Sequence, residues 1–183
     1  MTAPWNFKQI DDFEGVDIAD IFQDLRAAWL SVKNEFDTDT IRVRSNPRPD
    51  LLSTQIYGQP DYWWIILVLN DVVDGWNDWP KDPDELRAWA EEKYDDPQEI
   101  RHYVDPDTGK EFFDVIRVGN AWYDAGDPGG IQEPLVTGDL QAVTFLEYED
   151  EINTSRRRME FVVPGQIRDC RERLFEELGI DGV

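Results

Sequence analysis

Between Ile41 and Trp79 the chain reads IRVRSNPRPDLLSTQIYGQPDYWWIILVLNDVVDGWNDW, and this stretch decides the fold. Ile41-Arg42-Val43-Arg44 alternates apolar and basic residues, which gives a short strand with one apolar face. Asn46-Pro47-Arg48-Pro49-Asp50 breaks it. Pro49 opens a helix, because its missing N–H is one the first turn leaves unbonded anyway. Leu51, Leu52 and Ile56 fall on one side of that helix, and Gly58 after Tyr57 stops it. Pro60 opens a second helix carrying Tyr62, Trp63, Ile65, Ile66, Leu67 and Leu69, with Asn70 at its end. That helix is apolar nearly all round, so it belongs at the buried centre of a small module. The expected core is Leu52, Ile56, Trp63, Trp64, Ile66 and Leu67.

On the N-terminal side, residues 1–15 read as an irregular arm holding Trp5 and Phe7. From Asp17 a helical stripe begins, with Ile18, Ile21, Phe22, Leu25, Ala28, Trp29, Val32 and Phe36 at three- and four-residue spacing. On the C-terminal side, Asp82-Pro83-Asp84-Glu85 has cap, proline and N3 glutamate in the order that starts a helix. His102-Tyr103-Val104 and Glu111 to Val118 flank Asp105-Pro106-Asp107-Thr108-Gly109-Lys110, which predicts a β-hairpin. Residues 124–139 read as a long loop, and Ala142 to Asn153 fits strand or helix. Arg158 to Val163 reads as a strand, and Pro164 starts a last amphipathic helix with Ile167, Cys170, Leu174, Phe175 and Leu178, stopped by Gly179. The expected fold class is α+β: an N-terminal arm with a helix (1–40), a βααβ module (41–80), and a helix, hairpin, loop and strand–helix extension (81–183).

Composition narrows the function. There are 40 acidic against 18 basic residues, a formal net charge of −22. Such a field repels nucleic acid and anionic lipid and favours basic protein partners. Arg156-Arg157-Arg158 follows the acidic run Glu147 to Glu151 and reads as a local charge partner. No run approaches the roughly 18 apolar residues of a membrane span, and the N-terminus lacks a signal-peptide pattern. The single cysteine forbids an internal disulfide. Eight Trp, nine Phe and six Tyr exceed what one small core uses, which suits protein interfaces.

Catalytic chemistry finds little footing. His102 is the sole histidine and sits where a strand starts. Cys170 lies on the apolar stripe of a helix, where cysteine packs rather than reacts. One His, one Cys and carboxylates make a poor zinc set. The Asp105–Gly109 turn lacks the Gly and Glu positions of an EF-hand, with Lys110 and Ile116 in their places. We therefore expect no catalytic, cofactor or metal residue, no small-molecule substrate, and a non-enzymatic protein.

The order strand, short helix, Tyr57-Gly58, second helix and Asn70 resembles a LysM module. Asn46-Pro47-Arg48-Pro49-Asp50-Leu51-Leu52, Ile56-Tyr57-Gly58, Asp61-Tyr62-Trp63-Trp64 and Asn70-Asp71, followed by Trp79, resemble more specifically the LysM-like baseplate wedge subunit family of contractile-tailed, T-even-like phages. Ile18-Ala19-Asp20-Ile21-Phe22 and Ala121-Trp122-Tyr123-Asp124 fit that family's layout more loosely. The resemblance implies a structural virion protein of the tail baseplate, assembled in the host cytoplasm. It would join neighbouring wedge subunits and help seat the sheath-initiating ring, with other wedge proteins and a sheath-initiator-like protein as partners. Trp29, Phe36, Arg48, Tyr57 and Trp76 are the expected interface residues. A peptidoglycan-binding LysM module is the alternative from another class.

Overall fold

The structure, a computed structural model, describes residues 21–44, 46–127 and 132–179, and the backbone alone for 21–24. Trp5, Phe7, Asp17 and Ile18 lie outside the described residues. The chain divides into two compact units: one runs to Pro80 and resumes at Arg156, the other is Lys81–Ser155. The expected boundary at 80 falls where the first unit is interrupted, whereas the one at 40 lies inside that unit, and the last elements of the chain return to it from Arg156 onward.

The first unit is built around helix α3 (Trp63–Leu69), in which Trp64 through Leu69 are all buried. A seven-residue helix with no polar face needs cover on every side. Strand β1 (Thr38–Arg42) pairs antiparallel with β8 (Arg158–Val162), in a register that sets Thr38 opposite Val162 and Arg42 opposite Arg158. Helix α2 (Pro49–Tyr57) has Pro at its start and Gly58 at φ 79° behind it, the Gly58 N–H donating to the Thr54 carbonyl. The left-handed backbone there favours glycine. Thus β1, α2, α3 and β8 follow one another as strand, helix, helix, strand, with the last strand arriving only after the inserted unit.

The two helices expected as outlying arms complete this core. Helix α1 (Ile21–Val32) contributes Leu25, Ala28, Trp29 and Val32 to the cluster around Trp64, Ile65, Val68 and Leu69. Helix α6 (Ile167–Glu177) adds Ile167, Cys170 and Leu174 to the same cluster, and Phe36 packs against it. On the other side of α3, Ile66 and Leu67 meet Val43, Leu52, Val72, Trp79 and Met159, with Ile56 against them. Burying one large aliphatic or aromatic side chain is worth about 1.5–3 kcal/mol, so α3 binds both flanking helices strongly. Trp29 is accordingly a core residue of this chain, not an exposed anchor.

In the second unit, α4 (Pro83–Lys93) opens with the capping box read from the sequence: Asp82 accepts from Asp84 and Glu85 N–H, and Glu85 reaches back. Strand β2 (Ile100–Val104) pairs with β3 (Glu111–Phe112), the expected hairpin, and with β7 (Gln141–Thr144). The run Glu111 to Val118 is not one strand. Asp114 takes φ 50° and breaks it, so that β4 (Val115–Val118) pairs with β5 (Ala121–Asp124), which in turn pairs with β6 (Val136–Thr137). The ambiguous stretch is both things: β7 runs straight into α5 (Phe145–Arg156). Asn153 ties this helix to Lys81, its amide accepting from the Lys81 N–H at 2.7 Å and donating to the Lys81 carbonyl at 2.9 Å.

Candidate assembly surface

After α3 is covered, several large apolar side chains of the first unit remain in solvent. Leu51, Trp63, Val73 and Trp76 are 59%, 41%, 57% and 58% exposed. Trp63, expected in the core, is thus turned outward, while its neighbour Trp64 is buried and stacks on Phe175 at 5.8 Å. Exposed aromatic area of this kind marks protein-binding surface more often than isolated aliphatics do.

Trp76 sits on a loop locked by its own carboxylates. Asp78 accepts from the Val73 and Asp74 N–H groups at 3.2 and 2.9 Å. Asp74 accepts from the Trp76 and Asn77 N–H groups at 2.8 and 3.2 Å. Arg156 closes the loop from across the unit, pairing with Asp78 at 3.3 Å and donating to the Asn77 carbonyl. Behind it, Trp79 is buried and its indole N–H donates to the Pro47 carbonyl at 3.0 Å. The loop therefore shows its tryptophan from a fixed base, so little freedom remains to be lost on binding.

The other expected interface residues divide. Arg48 is exposed and grips Asp50 with two bonds, Nε to Oδ1 at 3.1 Å and Nη2 to Oδ2 at 2.7 Å. This guanidinium holds the Asp50 carboxyl below its ordinary value. Tyr57 is turned inward, edge-on to Tyr62 at 5.5 Å and against both apolar clusters. Its hydroxyl is shut from water beside the Val162 backbone without a well-formed hydrogen bond, and burial pushes the phenol upward. The structure thus keeps Arg48 and Trp76 at the surface and places Trp29, Phe36 and Tyr57 in or against the core.

Sequence reading missed Leu51 and Val73, which looked like ordinary helix and loop apolar residues. It also missed an open cleft of ≈ 360 Å³ lined by Arg26, Trp29, Lys33, Leu69, Asp71 and Glu160 among others. Arg26 and Asp71 bridge part of it at 3.1 Å. No local pattern foretold the cleft, since its walls come from α1 and the turn after it, β1, β8 and the end of α3.

The residues weighed for chemistry are packed as structure. Cys170 is fully buried, and desolvation pushes its thiol up to about 12, far from a reactive thiolate. In the second unit, His102 is buried, with Arg101 at 3.0 Å from Nδ1, Phe113 stacked at 5.3 Å and the Glu111 carboxylate at 3.9 Å. Among the described residues no three His, Cys, Asp or Glu side chains converge as a metal site. Among them, too, no helix is long and apolar enough to cross a membrane.

Comparison with known proteins now supplies the family. The family described as base plate wedge protein 53 matches residues 7–164. Among curated proteins, the baseplate wedge protein gp53 of Enterobacteria phage T4 is 25% identical over 157 residues, covering 83% of this chain and 79% of that protein. The match spans both units and every element from α1 to β8. The chain belongs to the base plate wedge protein 53 family, the baseplate wedge subunits of T4-like phages, and is a component of the virion tail baseplate.

Proposed function

We propose that this subunit joins neighbouring wedge proteins in the baseplate and helps seat the sheath-initiating ring. One observation carries the reading: Leu51, Trp63, Val73 and Trp76 stay at the surface of a unit whose core is built from other side chains. Aromatic anchors on a fixed base bind with little ordering cost, and a charged surround selects and orients partners. The work is binding rather than catalysis.

We also infer that β1, α2, α3 and β8 form a LysM-like fold used for protein contacts. A LysM fold elsewhere would suit a glycan, but a net charge of −22 repels acidic wall polymers. The test is complementation in the phage that carries this chain. A Trp63→Ser/Trp76→Ser variant should fold with an unchanged Tm, yet leave wedges unjoined and baseplates incomplete in electron micrographs. Normal baseplates from that variant would refute the joining role. Retention of the wild-type chain on insoluble peptidoglycan at physiological salt would favour glycan binding instead.

A further inference from the structure

The β1–β8 ribbon puts two arginines face to face. Arg42 and Arg158 are register partners at one end of the ladder. The ladder bonds fall on odd-numbered residues of β1 and its flanks: the Val43 N–H donates to the Arg157 carbonyl, and the Val163 N–H to the Asp37 carbonyl. Arg42 and Arg158 are therefore a non-hydrogen-bonded pair, the arrangement in which opposed side chains lie closest, on one face of the sheet. Both are exposed, and exposed Arg44 follows two residues on. Like charges directly opposite each other destabilise a ribbon.

Several other arginines of this unit pair with an acid, though Arg171 instead lies over the Tyr62 ring. Arg26 pairs with Asp71, Arg48 with Asp50, Arg156 with Asp78, and Arg173 with Glu35 and Glu177. Among the described residues, Arg42, Arg44 and Arg158 have no ion pair in a chain where acids outnumber bases by 40 to 18. The acid on the same strand, Glu160, makes no ion pair with them, and its Oε1 accepts instead from the Thr38 hydroxyl at 2.5 Å. Exposed guanidiniums without an ion pair in so acidic a protein are complementary to carboxylates brought by another chain.

We propose that the arginine-bearing face of the β1–β8 ribbon, around Arg42, Arg44 and Arg158, docks an acidic segment of a partner protein. The proposal rests on the joining role and names the chemistry of one partner surface. Paired guanidiniums would grip carboxylates by charge-assisted bonds, cancelling the repulsion the ribbon carries alone. Duplex nucleic acid is the lesser fit: a short acidic segment can sit on this face alone, whereas a duplex would also lie along the chain's acidic surface and be repelled by it.

The test uses the full chain and a short fluorescein-labelled peptide of alternating glutamate and serine, followed by fluorescence anisotropy at low salt. Saturable binding is expected, fading as NaCl is added. Arg42→Gln/Arg158→Gln should weaken it about tenfold, as expected for losing charge-assisted contacts, while Arg42→Lys/Arg158→Lys should keep most of it. The Gln variant should melt at or above the wild-type temperature, because repulsion has been removed. No peptide binding, equal binding by the Gln variant, or tighter binding of a duplex DNA oligonucleotide would overturn the proposal. None of these readouts needs a baseplate, so a failure of the joining role would register separately, in the complementation assay.

Discussion

The side chain of Asn70 is bonded to the backbone of Glu160 on both sides: Nδ2 donates to the Glu160 carbonyl, and the Glu160 N–H donates to Oδ1, each at 2.8 Å. Asn70 also ends α3, its Nδ2 reaching the Ile66 carbonyl at 2.7 Å. One carboxamide thus imitates a neighbouring strand. It satisfies the outward groups of β8 and fixes the ribbon to the helix it covers.

Replacing Asn70 with Ala leaves those groups without their partner. A loss of about 1–3 kcal/mol is expected, and Asn70→Asp should also destabilise, because the donor is lost and a carboxylate is set against a carbonyl. Urea denaturation of the three proteins gives the comparison.

Adjacent tryptophans should behave in opposite ways. Trp64 is buried against Phe175, so Trp64→Ala should cost about 3–5 kcal/mol or prevent folding. Trp63→Ala should change stability little, since its ring already meets water. Equal melting shifts for the two would show that the outward turn of Trp63 is wrong.

Alkaline pH should weaken the first unit in a known direction. Burial raises both the Cys170 thiol, to about 12 from its ordinary 9.0, and the Tyr57 phenol, above its ordinary 10.0. Groups raised in the folded state keep their protons there and lose them more readily on unfolding. Their stability is complete below about pH 9 and drains as pH rises toward the folded values. Cys170→Ala should flatten the early part of that decline, measured as Tm against pH from 8 to 11.

Tyr57→Phe removes a buried hydroxyl that has no well-formed bond. The variant should be as stable as the parent, or up to about 1 kcal/mol more so, with a flatter alkaline decline. A clear loss of stability would mean that the hydroxyl holds the Val162 backbone more firmly than its geometry shows.

What the sequence made legible was local. Pro49, Pro60, Gly58, the Asp82–Glu85 box and Gly179 mark element ends through chemistry confined to a few residues, and the structure places the ends there. The partner of β1 is not local information. Arg158 to Val163 reads as a strand, but nothing in its pattern says that it returns across the insertion to pair with Thr38–Arg42. The misplacement of Trp63 has a similar origin. In seven residues of continuous apolar character there is no period to tell the one outward position from the rest. The helix of Trp29 failed for a different reason: an apolar stripe demands cover but does not say whether its own chain provides it. Asp114 hid its break because a left-handed residue other than glycine carries no sequence mark.

The path of the chain has a further consequence for synthesis. β1, α2 and α3 leave the ribosome well before β8 and α6, so the first unit stays unfinished while Lys81–Ser155 is being made, with the parts of α3 that β8 and α6 cover still bare. The inserted unit can therefore fold first, and by drawing its own ends together it shortens the loop that β8 must close to reach β1. A nascent chain cut before Arg158 would expose a sticky helix to chaperones. Maturation of this subunit is in effect timed by the emergence of β8 and α6.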